Sequence, residues 1–239
     1  MLETMATPIL LVPGFWLGAW AWDEVATELR RRGDEPRALT LPGLDPADPG
    51  RLDATLKMQA EAIVEAAADD PMVLVSHSGG AAPAYLATDL APERFSHAVY
   101  VDSAPLPSGF VLIPQLPATA RELPLADWPE LEAAGNSLAG LDEAALKRFR
   151  QRAVSEPASI ATAPLELSDS PARLRIPTTI ICTSFSADLV RQLRDKGSEP
   201  LFAELTRIEA DYIDLPTGHW PMWSRPVELA ELIHAVAER

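Results

Sequence analysis

Lysine is nearly missing from this 239-residue chain, standing only at positions 57, 147 and 196. Lysine and arginine together number 20 against 35 acidic residues, a formal charge of −15. Surfaces that bind nucleic acid or anionic membranes need basic clusters to meet phosphate, so neither partner is expected and a neutral small molecule is. A single cysteine, Cys182, excludes an internal disulfide, and its place in the apolar run Thr178 to Thr183 predicts a buried, inert thiol. No apolar run approaches the ~20 residues of a membrane span. Metal-ligand spacing, internal repeats, low-complexity tails and long blocks of one charge are all missing too, and no cofactor is expected. The leading MLETMATPILLVPG has no basic start and runs into a strand-like segment, unlike a secretory signal, which predicts a cytoplasmic protein. Arginine in place of lysine, with much alanine and proline, suggests a GC-rich bacterial gene.

What is present fits a soluble α/β protein: 47% apolar and 23% charged residues, in a chain long enough for one large domain or two small ones. Pro8 to Val12, Arg37 to Leu41, Met72 to Val75, His97 to Asp102, Thr178 to Thr183 and Tyr212 to Leu215 read as strands. Helical spacing of apolar residues predicts helices over Ala19 to Arg32, Leu52 to Ala68, Gly79 to Leu90, Ala187 to Asp195, Leu201 to Arg207 and Pro226 to Glu238. Strands alternating with helices imply a parallel sheet covered on both faces, with the ligand site at the carboxyl ends of the strands. Residues 105–176 break this rhythm. They are rich in proline, with two short helical patterns at Pro124 to Ala134 and Leu141 to Val154, and read as an insertion between two parts of a core, 1–104 and 177–239.

The chain is organised around Met72 to Ala82, MVLVSHSGGAA, an apolar strand that turns through Ser76-His77-Ser78-Gly79-Gly80 into a small-residue helix. A serine held at such a turn has strained backbone angles, needs small neighbours at Ser76 and Gly80, and points its hydroxyl above the sheet. A serine hydroxyl is a poor nucleophile and needs a base. His219, in Leu215-Pro216-Thr217-Gly218-His219-Trp220, follows the last strand and is the best candidate, against the plainer reading of a loop histidine. His97 and His234 read as strand-edge and helix-surface residues.

This stretch resembles the G-x-S-x-G nucleophile elbow of the α/β-hydrolase family, with Ser76 in place of the first glycine, and GHWPMWSRPVELAELI resembles the family's histidine loop and last helix. The resemblance covers almost the whole chain. It implies an α/β-hydrolase-like fold, a mostly parallel sheet with helices on both faces and residues 105–176 as a cap. It also implies Ser78 as nucleophile, His219 as base, and the backbone N–H groups of Phe15 and Gly79 as an oxyanion hole. For the acid, Asp102 at the end of the fourth strand is preferred to Asp188. The family's more usual acidic position lies closest to Ser184 or Ser186, and Asp188 can instead open a helix. Trp16, His77 and Trp220 are expected beside the substrate, within an apolar, aromatic pocket shared with the cap.

The expected activity is cleavage of a small, largely apolar ester, lactone or thioester through an acyl-enzyme. Perhydrolase or lyase chemistry on the same residues, and a non-catalytic hydrolase-fold receptor, are the competing readings. Dehalogenases and epoxide hydrolases of this fold need an aspartate at the elbow, where Ser78 stands. Gly14 and Trp220 occupy the places of the threonine and lysine of plant hydroxynitrile lyases, which argues against cyanohydrin cleavage. Oligomeric state is left open, a homodimer included.

Overall fold

The computed structural model describes residues 6–67, 71–197 and 199–239. Ala68, the expected end of the second helix, and the leading residues 1–5 lie outside them. Mainly apolar, mostly buried segments form β1 (Pro8–Val12), β3 (Met72–His77), β4 (Phe95–Val101) and β7 (Thr178–Cys182), while β2 (Glu35–Ala38) and β8 (Ala210–Asp214) are more polar. The difference follows from position: these six strands form one parallel sheet in the order β2-β1-β3-β4-β7-β8, with the polar pair at its edges. The second strand was expected over Arg37 to Leu41 but pairs from Glu35 to Ala38, in register with Pro8 to Leu11. An edge strand needs only one ladder, so its sequence carries little apolar signal.

Side chains alternate across the sheet, as the two-residue strand period requires. Leu10, Leu74, Tyr100 and Ile180 join one apolar cluster with α2 (Leu56–Ala66), α3 (Ala81–Leu90) and α7 (Ala187–Lys196). Ile9, Val75, Val99 and Ile181 join the other with α1 (Asp23–Arg31) and the last helix, Pro226–Ala237. Burying one such aliphatic side chain contributes about 1.5–3 kcal/mol, so the two clusters fix strand register strongly.

Between β4 and β7 the chain adds a two-stranded antiparallel ladder, β5 (Glu122–Leu123) with β6 (Glu156–Pro157), and three helices, α4 (Trp128–Ala133), α5 (Glu143–Arg152) and α6 (Ala158–Thr162). The ladder and α6 had no legible pattern in the sequence. This insertion shares the core rather than forming its own. Phe149 packs edge-on against Trp220 and Trp223 in one cluster, and Ile160 and Leu165 belong to the other. Where the insertion returns, buried Arg173 bonds Asp89 of α3 at 2.8 Å and the Tyr85 hydroxyl at 3.2 Å, so this buried cation is paired. A short helix, α8 (Pro221–Ser224), and α9, the Pro226–Ala237 helix, close the chain. No described helix is long and apolar enough to cross a membrane.

Because Phe149 joins insertion and core, Phe149→Ala is expected to cost about 3–5 kcal/mol in denaturant unfolding while the transition stays single. A separate early transition for the insertion would contradict shared packing. Burial, then the charges of Asp214 and Asp102, pushes the Cys182 thiol up to about 12. It is therefore expected to resist iodoacetamide at pH 8 in the native protein and to react on unfolding, read by mass spectrometry.

Candidate active site

Among the described residues three non-glycine residues have positive φ: Ser78 (50°) directly after β3, Asp102 (45°) directly after β4, and Trp16 (66°) in the loop that follows β1. Left-handed backbone at such residues costs free energy and persists only where surrounding structure enforces it, a pattern concentrated at functional sites. At Ser78 the enforcement is steric. Gly80 passes so close to β1 that a Cβ there would sit 2.3 Å from the Pro13 carbonyl oxygen, so the turn can close only without a side chain at that position.

The strain at Ser78 presents its hydroxyl to His219, whose Nε2 lies 2.8 Å from Oγ. His219 Nδ1 lies 2.6 Å from Asp102 Oδ2. A carboxylate only accepts, so Nδ1 donates and Nε2 is left to accept from the serine. Asp102 also accepts from the Thr183 and Ser184 N–H groups at 3.1 and 2.9 Å and from the Ser184 hydroxyl at 2.5 Å. Burial favours its protonated form, but the bonds from His219 and Ser184 prevail and hold it at about 2. Asp102 is therefore an anion across ordinary pH. Asp188 is elsewhere: exposed in the first turn of α7 and paired with Arg191 at 3.0 Å.

Phe15 and Gly79, expected to supply the two N–H donors, lie together. A Cβ on Gly79 would come within 2.6 Å of the Phe15 ring. Three residues expected beside the substrate each make specific packing or hydrogen-bond contacts. Trp220 is 2% exposed, packed between the edge of His219 and Phe149, because the apolar cluster beneath the base claims its ring. Trp16 turns its indole to the insertion, donating from Nε1 to the Leu123 carbonyl at 3.0 Å. His77 is enclosed behind His219 and donates to its backbone carbonyl. None of the three is among the residues that line the cavity above Ser78.

That cavity, of about 230 Å³, opens on Ser78 and His219. Its walls are mainly apolar, from Leu106, Leu112, Ala134, Phe185 and Leu201, with Asn136 and Ser103 as neutral polar groups and no lysine or arginine. Leu106, Leu112 and residues 134–136 come from the insertion, which thus covers Ser78. Among the described residues no cluster of three or more histidine, cysteine or acidic side chains could hold a metal ion.

Sequence reasoning missed how tightly the insertion grips both loops. The N–H groups of Gly218 and His219 donate to the Ala139 and Ser137 carbonyls at 3.1 and 2.7 Å. On the other side Val154 N–H donates to the Trp16 carbonyl at 3.0 Å. Next to it Glu156 is buried. Burial raises its carboxyl to about 8, against Gln59, the Trp16 N–H and Arg51, which favour the ionised form. These are mostly backbone bonds, so no residue type announces them. Ser184 was nearer to legible, since it stands where the family's acid is more usual.

The match to known proteins fits this geometry. The model of the alpha/beta hydrolase family matches residues 9–232. The chain belongs to that family. It is 36% identical over 99 residues to methylesterase 9 of Arabidopsis thaliana, covering 39% of each chain. It is also 36% identical over 107 residues to norfluorocurarine synthase 2 of a Strychnos species, covering 42% of this chain and 40% of that one. Both alignments thus span about two fifths of the relative's length. An extracellular alpha/beta-hydrolase from a Paenibacillus species, described as sharing structural and functional homology with tobacco salicylic acid binding protein 2, superposes with a TM-score of 0.76. It is 21% identical, with 97% of this hydrolase-family chain and 98% of the other aligned, a likeness of fold.

Asp102→Asn is expected to lower kcat for an ester by ~10⁴-fold, the loss that follows when the tautomer of the base is no longer fixed. Ser184→Ala removes one charge-assisted bond and should cost about 1.5–3 kcal/mol of stability. Asp188→Asn should leave both quantities unchanged. A kcat for Asp102→Asn near that of the unmodified protein would place the acid elsewhere.

Proposed function

We propose that this protein is a serine esterase that cleaves a small, largely apolar, uncharged carboxylic ester through an acyl-enzyme. One observation carries the reading: the unbroken row Ser78–His219–Asp102, at 2.8 and 2.6 Å, opens into an apolar cavity. Ser78 Oγ attacks the ester carbonyl carbon as its proton passes to His219 Nε2. Asp102 steadies the imidazolium. The N–H groups of Phe15 and Gly79 meet the charge that develops on the carbonyl oxygen. His219 gives its proton to the departing alkoxide, the alcohol leaves, and water then repeats the sequence with the acyl carbon as target. His219 deprotonates that water, and collapse of the second intermediate returns the proton to Ser78 and releases the acid.

The cavity argues for the substrate class. An anionic acyl or alcohol group would lose its hydration there without a basic side chain to replace it, a penalty of several kcal/mol. The methylesterase among the relatives supports an ester as the bond cleaved.

A fluorophosphonate probe is expected to label the protein at Ser78, and Ser78→Ala should abolish labelling and lower hydrolysis of short p-nitrophenyl esters by roughly 10⁴- to 10⁶-fold with its melting temperature kept. Labelling at another residue, or unchanged turnover in Ser78→Ala, would refute the assignment.

A further inference from the structure

His77 precedes the nucleophile, is 1% exposed, and has no part in the proton transfers described above. Its Nε2 lies 2.7 Å from the backbone carbonyl oxygen of His219. A carbonyl only accepts, so Nε2 carries the proton and Nδ1 is a bare lone pair. That lone pair has no hydrogen-bond partner, and Gly14 closes in on it: a Cβ there would stand 2.8 Å from Nδ1 and 2.9 Å from Ser78 Cβ. Leaving a buried acceptor unpaired is unfavourable, so ring volume alone does not account for a histidine. An apolar side chain would fill the space without that penalty. What only a polar side chain supplies here is the donor to His219.

We infer that His77 is a positioning residue: its Nε2–H holds the peptide of His219 and so fixes where the base stands relative to Ser78. The inference rests on the esterase reading for its catalytic consequence. The backbone of the base is then held on both sides, since its N–H donates to the Ser137 carbonyl of the insertion at 2.7 Å and its carbonyl accepts from His77 of β3. The rings of the two histidines are 4.8 Å apart, tilted by 47°.

The same burial settles where the serine proton goes. His219 and Asp102 are the titratable groups that act on His77. Burial, followed by the charge on His219, lowers His77 to about 3, outweighing its bond to the His219 carbonyl and the field of Asp102. His77 therefore stays neutral while its neighbour becomes an imidazolium, and two adjacent cations never form.

Two substitutions separate positioning from packing. Glutamine can present an amide N–H near the place of Nε2, whereas leucine fills space and donates nothing. His77→Leu is expected to lower kcat by ~10²-fold with KM unchanged, the scale of a misplaced reacting group. His77→Gln should recover most of that loss at equal melting temperature. Equal losses in both variants, or wild-type kcat in a folded His77→Leu, would overturn the inference. Nitrogen NMR of the unsubstituted protein tests it without reliance on folding of a variant or on any substrate. His77 is expected to remain the neutral Nε2–H tautomer from about pH 5 to 8, and a charged or Nδ1–H ring in that range would overturn the assignment. Because this arm needs no turnover, it also separates failure of the His77 assignment from failure of the esterase reading.

Discussion

A buried carboxylate that must remain charged is the constraint on which this site depends. Asp102 is held in that state by four donated bonds, and their sources tie together parts of the chain that are far apart in sequence: the end of β4, the loop after β7 and the loop after β8. Without them burial would neutralise the group, His219 would lose its tautomer, and the serine would have no acceptor. Thr183 extends the same tie, donating its N–H to Asp102 and its hydroxyl to the Gly218 carbonyl at 3.0 Å. The acid is therefore a junction as well as an anion.

Strain is the second side of that arrangement. Ser78 and Asp102 at the carboxyl ends of central strands, and Trp16 in the loop after β1, each occupy left-handed backbone, at a cost of order 1–3 kcal/mol apiece. A parallel sheet bearing a cluster on each face can hold such turns because β1, β3 and β4 cannot slip by one residue without turning their apolar sets out of both clusters. The register that buries Leu10 and Leu74 on one face and Ile9 and Val75 on the other also brings the strand ends level. Site geometry follows from core packing.

This explains why the sequence disclosed some things and withheld others. Strong period-two or continuous apolar runs marked the central strands, and the serine turn and histidine loop were legible because each needs unusual residue types at fixed spacing. Asp102 was harder, since an aspartate after a strand has many structural uses and Asp188 offered a rival. The deciding contacts come from Thr183 and Ser184, whose relation to Asp102 exists only once β4 and β7 lie side by side. Trp16, His77 and Trp220 were less legible, and none is among the residues lining the cavity above Ser78. Large or polar rings near the nucleophile suggest a pocket, yet a base that must not move needs such rings behind it, and proximity in sequence does not distinguish the two sides.

The insertion sharpens the point. A cover that merely closed over the cavity could vary freely, but this one donates to the Trp16 carbonyl on one side and accepts from Gly218 and His219 on the other. Each bond is worth only about 0.5–1.5 kcal/mol in net stability. Their leverage lies in position, because they act on the two loops whose displacement by about 1 Å alters rate far more than stability. Leu106, Leu112 and Asn136 shape the cavity from the same segment that steadies the base. On the esterase reading, a change in the insertion that alters what fits the cavity also bears on how His219 is held, because both depend on one stretch of backbone.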